Sequence, residues 1–220
     1  GGRSLLDLGC GSGGAVVAGQ AFFKYRTGSD VALRWLVIAR KRLEETGSTA
    51  ILVCADAESL PFERETFSHV LASDLLENMS SPAAAIRSSA SVLEPGGRLY
   101  LSSSNSRWIG PHPATGVWAA GLLPTGLRAA FLRRRHGTDL LRAVNLVSPA
   151  SVRRMARTAG LRQVEAGPFL PDSGQFAGRS ALFRFFAAGY SRLAKRPLFR
   201  TALLHWGPAF KAIFVKEPST

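Results

Sequence analysis

The run Ser4-Leu5-Leu6-Asp7-Leu8-Gly9-Cys10-Gly11-Ser12-Gly13-Gly14 constrains the fold more than any other stretch of the chain. A short apolar strand ends in an acid and breaks into glycines, which predicts a strand, a tight turn and then a helix. Glycines there permit positive φ and close approach of a ligand, and the first turn of the helix offers unpaired N–H groups. The turn suits a nucleotide-like ligand. Its spacing leaves two chemistries open, because Gly9, Gly11 and Gly14 also satisfy G-x-G-x-x-G, with Asp30 near where a ribose-binding acid falls in a dinucleotide site.

Strand and helix patterns alternate through the first half, which predicts a parallel sheet covered on both faces. The expected elements are a strand at Ser4 to Leu8, a helix from about Gly14 to Phe23, a strand near Tyr25 to Ser29, and a helix from Val31 to Glu45. In that last helix Leu33, Leu36, Val37 and Leu43 read as the packed face. Ile51 to Cys54 reads as a short buried strand and Phe67 to Ala72 as another. Ser81 is a candidate N-cap for a helix that begins at Pro82 and runs to about Leu93. Glu94-Pro95-Gly96-Gly97 closes it and leads into a strand at Arg98 to Ser102. The first four strands end in or beside Asp7, Asp30, Asp56 and Asp74, and ligands of such sheets bind beyond the carboxyl ends of the strands, so four acids are expected at one edge.

Five motifs in order resemble the class I S-adenosylmethionine-dependent methyltransferases, of the methyltransferase type 11 or type 12 domain group. They are Leu5 to Gly13, Gly28-Ser29-Asp30-Val31, Ala55 to Phe62, Ser73 to Asn78, and Val92 to Arg98. The resemblance implies an α/β fold: a Rossmann-like doubly wound sheet, mostly parallel with an antiparallel last strand, and helices on both faces. It implies S-adenosyl-L-methionine as cofactor, held by Asp7, Gly9, Cys10, Gly11, Gly13, Asp30, Val31, Asp56, Ala57, Ser73 and Leu75. The residue chemistry agrees. Asp7 suits an ammonium group, Asp30 offers two acceptor oxygens to a pair of ribose hydroxyls, and Asp56 can accept from an adenine amino group. A sulfonium cation tolerates such an acidic rim, whereas a pyrophosphate does not. Ser68 and Asn78 depart from the family pattern, standing where Asp and His are frequent.

Charge divides the chain. Residues 1 to 105 carry 10 Lys and Arg against 11 Asp and Glu, and residues 106 to 220 carry 18 against 4. In the family, the region after the fifth strand supplies much of the acceptor site, so the basic half points to an anionic acceptor or surface. The expected organisation is one domain over 1–220. It comprises a cofactor half (1–104), a lid-like insertion (105–147), a helix and strand (148–170), a basic aromatic insertion (171–207), and a last strand and tail (208–220), with a further N-terminal segment preceding Gly1. Phe183, Phe185, Phe186, Tyr190, Leu193, Leu198 and Phe199 interleave with Arg184, Arg192, Lys195, Arg196 and Arg200, which suits a packed face, an anionic membrane or a lipid-linked acceptor.

Cys10 and Cys54 show no metal-ligand spacing and read as reduced thiols of a cytoplasmic protein, with peripheral contact at the inner membrane face as an extension. Nucleic acid ranks lower, since no RNA-binding motif accompanies the basic residues. The sequence therefore points to methyl transfer to oxygen of a small, carrier-linked or lipid-linked anionic acceptor. A non-catalytic cofactor-binding protein, a membrane-surface protein and an RNA methyltransferase are the alternatives. Of the four histidines, His69 lies in an apolar strand and His136 in an Arg run, leaving His112 as the favoured general base, with His205 behind it.

Overall fold

The computed structural model describes residues 4–110, 118, 119, 121–124, 126, 127, 130, 134, 146–170 and 181–218. Seven strands form one sheet: β1 (Ser4–Leu8), β2 (Tyr25–Asp30), β3 (Ile51–Cys54), β4 (Phe67–Ser73), β5 (Leu93–Ser104), β6 (Leu161–Pro168) and β7 (Ala209–Lys216). Their order is β3-β2-β1-β4-β5-β7-β6, with the first five parallel and β7 antiparallel to both of its neighbours. The expected α/β, Rossmann-like class is the observed one. The helices are α1 (Gly14–Ala18), α2 (Leu33–Glu45), α3 (Pro82–Val92), α4 (Pro149–Thr158), α5 (Ala181–Leu193) and α6 (Pro197–Trp206).

Two cores explain the two-faced covering. On one side Leu6, Leu8, Val70, Leu99 and Phe214 pack with Ile86 of α3 and Val152 of α4; on the other, Cys10, Val16, Leu36 and Leu43 pack together. A central parallel strand must be apolar on both faces, which is why β1 reads as a run with no alternation. Ser68 ties the start of β4 to β1. Its N–H donates to Ser4 Oγ (2.9 Å) and its Oγ donates to the Ser4 carbonyl (2.8 Å), a short polar link where the family carries an acid.

Several expected boundaries shift for identifiable reasons. The first helix stops at Ala18 and continues as a 3-10 turn over Gly19–Ala21. Helix α2 begins two residues late because Asp30 Oδ1 accepts from the Ala32 N–H (2.9 Å), holding the chain in a turn first. Its buried face is Leu36, Ala39 and Leu43, so Leu33 and Val37 are exposed and not packed as their spacing suggested. Strand β3 lies at the sheet edge and leaves Ile51 and Cys54 exposed, which corrects the reading of a buried strand. Phe67 pairs with Leu93 before a bulge, so β5 starts at Leu93 and absorbs the expected Pro95-Gly96 turn. Helix α4 starts at Pro149, with Ser148 and Ser151 in a reciprocal capping box.

The insertion between β6 and β7 is helical in its described part, with α6 packed over β6. Among the described residues, no helix is long and apolar enough to cross a membrane. Most of the lid-like insertion, with His112 and His136, lies outside the described residues, as does 171–180.

Candidate active site at the carboxyl edge of the sheet

A cleft of about 340 Å³ opens beyond the carboxyl ends of β1, β2, β3 and β4. β1 feeds it through the glycine turn. Gly9 has φ +67°, and a Cβ there would stand 2.9 Å from Leu75 Cδ1, so any side chain at this position is strained. The turn is closed by Gly13 N–H donating to the Cys10 carbonyl (2.8 Å) and is bound to β2 by Cys10 N–H donating to the Ser29 carbonyl (3.0 Å).

Asp30 is the second fixed point. Its Oδ2 accepts from the Gly11 N–H (3.0 Å) and its Oδ1 from the Ala32 N–H (2.9 Å), so one carboxylate clamps the glycine turn to the start of α2. Each oxygen retains a lone pair for a hydroxyl donor. Asp56 Oδ1 accepts from the Glu58 N–H (2.9 Å), ordering the loop after β3, and Ala57 beside it is buried.

The fourth strand ends in a strained turn. Asp74 adopts φ +51°, its N–H donates to the Ser102 carbonyl (3.0 Å), and its own carbonyl accepts from Asn78 Nδ2 (2.9 Å). Desolvation, followed by the nearby Glu77 carboxylate, raises the Asp74 carboxyl above the usual range.

Asp30, Val31, Asp56, Ala57, Ser73, Asp74 and Leu75 line the cleft together with Gly9. Asp7, Cys10, Gly11 and Gly13 do not line it. Asp7 is buried within the sheet, and burial, reinforced by the Asp30 charge, pushes its carboxyl up to about 7. Among the described residues nothing donates a hydrogen bond to that carboxyl, so the site carries a buried acid lacking a cation. The Cys10 side chain packs with Val16, Leu36 and Leu43, and burial, then the Asp7 and Asp30 charges, push its thiol up to about 12, leaving only backbone to face a ligand.

Sequence reasoning missed Ser29, Ala32, Trp35, Ala55 and Met79 as cleft residues, while Asn78, singled out as a departure from the family pattern, does line the cleft. Trp35 lies in the first turn of the helix that follows Asp30, and it lines the cleft with that acid. Glu77 is a second omission. It is buried and accepts from the hydroxyls of Ser103 and Ser104, bracing the turn after β4 against the end of β5.

The described histidines lie elsewhere. His69 stacks on Tyr100 in mid-sheet, and burial, then Arg98, lowers its proton affinity. His205 closes α6, away from the cleft. Among the described residues no group of His, Cys, Asp and Glu could hold a metal ion.

The cleft presents three acids and no basic side chain, the charge pattern for a cationic nucleoside. Residues 6–101 match the family model described as Methyltransferase domain. The ubiquinone biosynthesis O-methyltransferase of Coxiella burnetii (strain RSA 331 / Henzerling II) is 26% identical over 171 residues; the match covers 74% of this chain, which spans 65% of that relative. Among solved structures, the S-adenosylmethionine dependent methyltransferase from Mesorhizobium loti superposes with a TM-score of 0.65 at 20% identity, over 98% of this chain and 92% of that one. The cyclase SpnF gives 0.65 at 22% identity, over 100% and 76%. At these identities the two structures carry the fold alone.

The strand order and the cleft at the carboxyl edge give the Rossmann-like fold that the solved S-adenosylmethionine dependent methyltransferase from Mesorhizobium loti also has. Over residues 6–101 the chain is similar to the methyltransferase-domain family, a likeness that implies S-adenosylmethionine as the ligand of the cleft.

Proposed function

We propose that the protein transfers a methyl group from S-adenosylmethionine to an oxygen of a small or carrier-linked, anionic acceptor. The observation that carries this reading is the cleft lining, three acids (Asp30, Asp56 and Asp74) with no basic side chain, beside the buried Asp7 carboxyl whose proton affinity burial and Asp30 raise. A ligand bearing an ammonium and a sulfonium supplies the missing positive charge, and a dinucleotide would add two more negative ones. When bound, the cofactor supplies a methyl on positively charged sulfur, a leaving group that needs no acid.

The assignment of residues follows their chemistry. Asp7 and the backbone of Gly9, Cys10, Gly11 and Gly13 hold the methionine portion, Asp30 and Val31 the ribose, and Asp56 and Ala57 the adenine. Ser73 and Leu75 complete the methyl-facing wall. Asp74, whose carboxyl retains a proton to higher pH than usual, is the described titratable group beside that wall with a shifted proton affinity. The base assigned from sequence, His112, lies outside the described residues. The Coxiella burnetii relative, named as an O-methyltransferase, supports oxygen as the acceptor atom. Residues 1–220 act as one catalytic domain in this reading.

A second element of the reading is peripheral contact of a cytoplasmic protein with an anionic membrane. Phe185, Leu198, Phe199 and Trp206 are exposed on α5 and α6, next to Arg192, Lys195, Arg196 and Arg200. A basic, apolar-studded pair of helices suits that surface.

The decisive experiment is isothermal calorimetry with S-adenosylmethionine, S-adenosylhomocysteine and NAD on the wild type and Asp30→Ala. Binding of the first two, lost in the variant, is expected. Binding of NAD alone overturns the proposal.

A further inference from the structure

Helices α4 and α6 stand as two walls over β6, and a groove of about 450 Å³ runs between them. Arg153, Arg154 and Arg157 line one wall, Gln163 lies on the floor and His205 on the opposite wall; no carboxylate lines the groove. The nearest acids in sequence are already committed. Glu165 is shared by Arg200 (3.6 Å) and Lys211 (3.8 Å), and Glu217 pairs with Arg162 (3.5 Å). Among the described residues, none of the three groove arginines has an ion pair or a side-chain hydrogen bond.

This arrangement is costly when empty. Arg153 and Arg157 stand one turn apart, a spacing at which like charges destabilise a helix. His205 lines the groove, and its buried ring Nδ1 has no hydrogen-bond partner among the described residues. Guanidinium forks, an amide and an imidazole together match the several oxygens of a phosphoryl group, which arginine binds bidentately. The first turn of α4 also borders the groove at Pro149 and Ala150, where the positive end of the helix dipole favours an anion. Ala166 and Leu204 supply apolar contact beside the charges, so the fitting ligand is a phosphate ester with an apolar body.

We propose that the groove between α4 and α6 is a phosphate-binding site, engaging the phosphoryl group of a phosphorylated acceptor or of a phospholipid headgroup. It locates the anion of the anionic-acceptor reading and rests on that reading for its biological meaning. The first turn of α4 follows Val147, which bridges Asn105 just past the carboxyl end of β5, so the groove begins at the same sheet edge as the cofactor cleft.

The test uses the full chain, Arg153→Ser/Arg157→Ser, and the charge-matched control Arg34→Ser/Arg87→Ser. Inorganic phosphate is titrated at low salt, followed by calorimetry and by the ring signals of His205. Phosphate is expected to shift His205 and to bind the groove variant about tenfold more weakly than the wild type, with the control unchanged.

Vesicles of phosphatidylglycerol, against phosphatidylcholine, separate the sources. Loss of vesicle binding in the groove variant assigns a lipid headgroup. Retained vesicle binding with lost phosphate binding assigns a soluble phosphate ester. Equal phosphate affinity in wild type and groove variant, or no phosphate binding at millimolar concentration, overturns the site. S-adenosylmethionine affinity is measured in the same samples and is expected to be unchanged, so failure of the cofactor reading is seen separately.

Discussion

Replacing Asp7 by asparagine tests the electrostatics of the cleft most directly. The wild-type carboxyl is pushed up from 3.8 to about 7, first by burial and then by Asp30. The folded state therefore holds a proton that the unfolded state has released, and stability falls as pH rises through the window from 3.8 to about 7. At about 1.4 kcal/mol per unit, the full displacement corresponds to about 4 kcal/mol lost by pH 8. Asp7→Asn removes the ionisation and nearly preserves the shape. The variant is expected to match the wild type near pH 4 and to exceed it by up to about 4 kcal/mol at pH 8, or about 8–16 °C in Tm for a chain of this size. Urea denaturation of both proteins across that pH range gives the difference, in which other carboxylates cancel. The same variant is expected to bind S-adenosylmethionine at least about tenfold more weakly, because the buried charge that offsets the ligand's cation is gone. A variant whose stability runs parallel to the wild type at every pH refutes the reasoning, as does one less stable than the wild type at pH 8.

Three further outcomes follow from particular contacts. Gly9→Ala places a side chain at positive φ and 2.9 Å from Leu75 Cδ1, so it should cost about 1–2 kcal/mol in urea denaturation and abolish cofactor binding by calorimetry. Arg26→Met removes a buried guanidinium that donates to the Phe23 and Thr49 carbonyls, each at 2.7 Å; orphaning both should cost about 2–3 kcal/mol, read from the urea midpoint. Glu77→Gln leaves one oxygen to serve the hydroxyls of both Ser103 and Ser104. It should cost about 1–3 kcal/mol in the same assay and weaken S-adenosylmethionine binding without changing the fold by circular dichroism.

Where the sequence was legible, a single local rule decided the outcome. The apolar run into glycines placed β1 and its turn, and Ser81-Pro82 placed the start of α3, because positive φ and capping are satisfied within a few residues. Errors arose where distant partners decided. Ile51 to Cys54 has the composition of a buried strand, but its place at the sheet edge is set by pairing order, which no short window contains. The face of α2 was misjudged because Leu33, Leu36 and Val37 all fit a helical stripe, and only contact with Val16 and Cys10 selects Leu36. Among the site residues, the strand-end acids were visible because topology puts every strand end at one edge. Glu77 was not, since its role depends on Ser103 and Ser104, which lie 26 and 27 residues away in sequence.

Those serines also explain how an acidic cleft and a basic groove are held in one geometry. Ser103, Ser104 and Asn105 are three consecutive buried polar residues at the end of β5. The serine hydroxyls donate to Glu77, fixing the turn after β4 beside the cleft, while Asn105 Nδ2 donates to the Leu204 and His205 carbonyls (3.3 and 3.1 Å), fixing the end of α6. A buried polar side chain is stabilising only with its partners in place, so each of these residues specifies a position and not merely a contact. A displacement of α6 would strip Asn105 of both acceptors and move His205, while a displacement of the turn after β4 would orphan Glu77. Because the two sets share adjacent residues of one strand, the cleft wall and the groove are coupled through rigid backbone, which the proposed in-line transfer requires, since its rate depends on alignment.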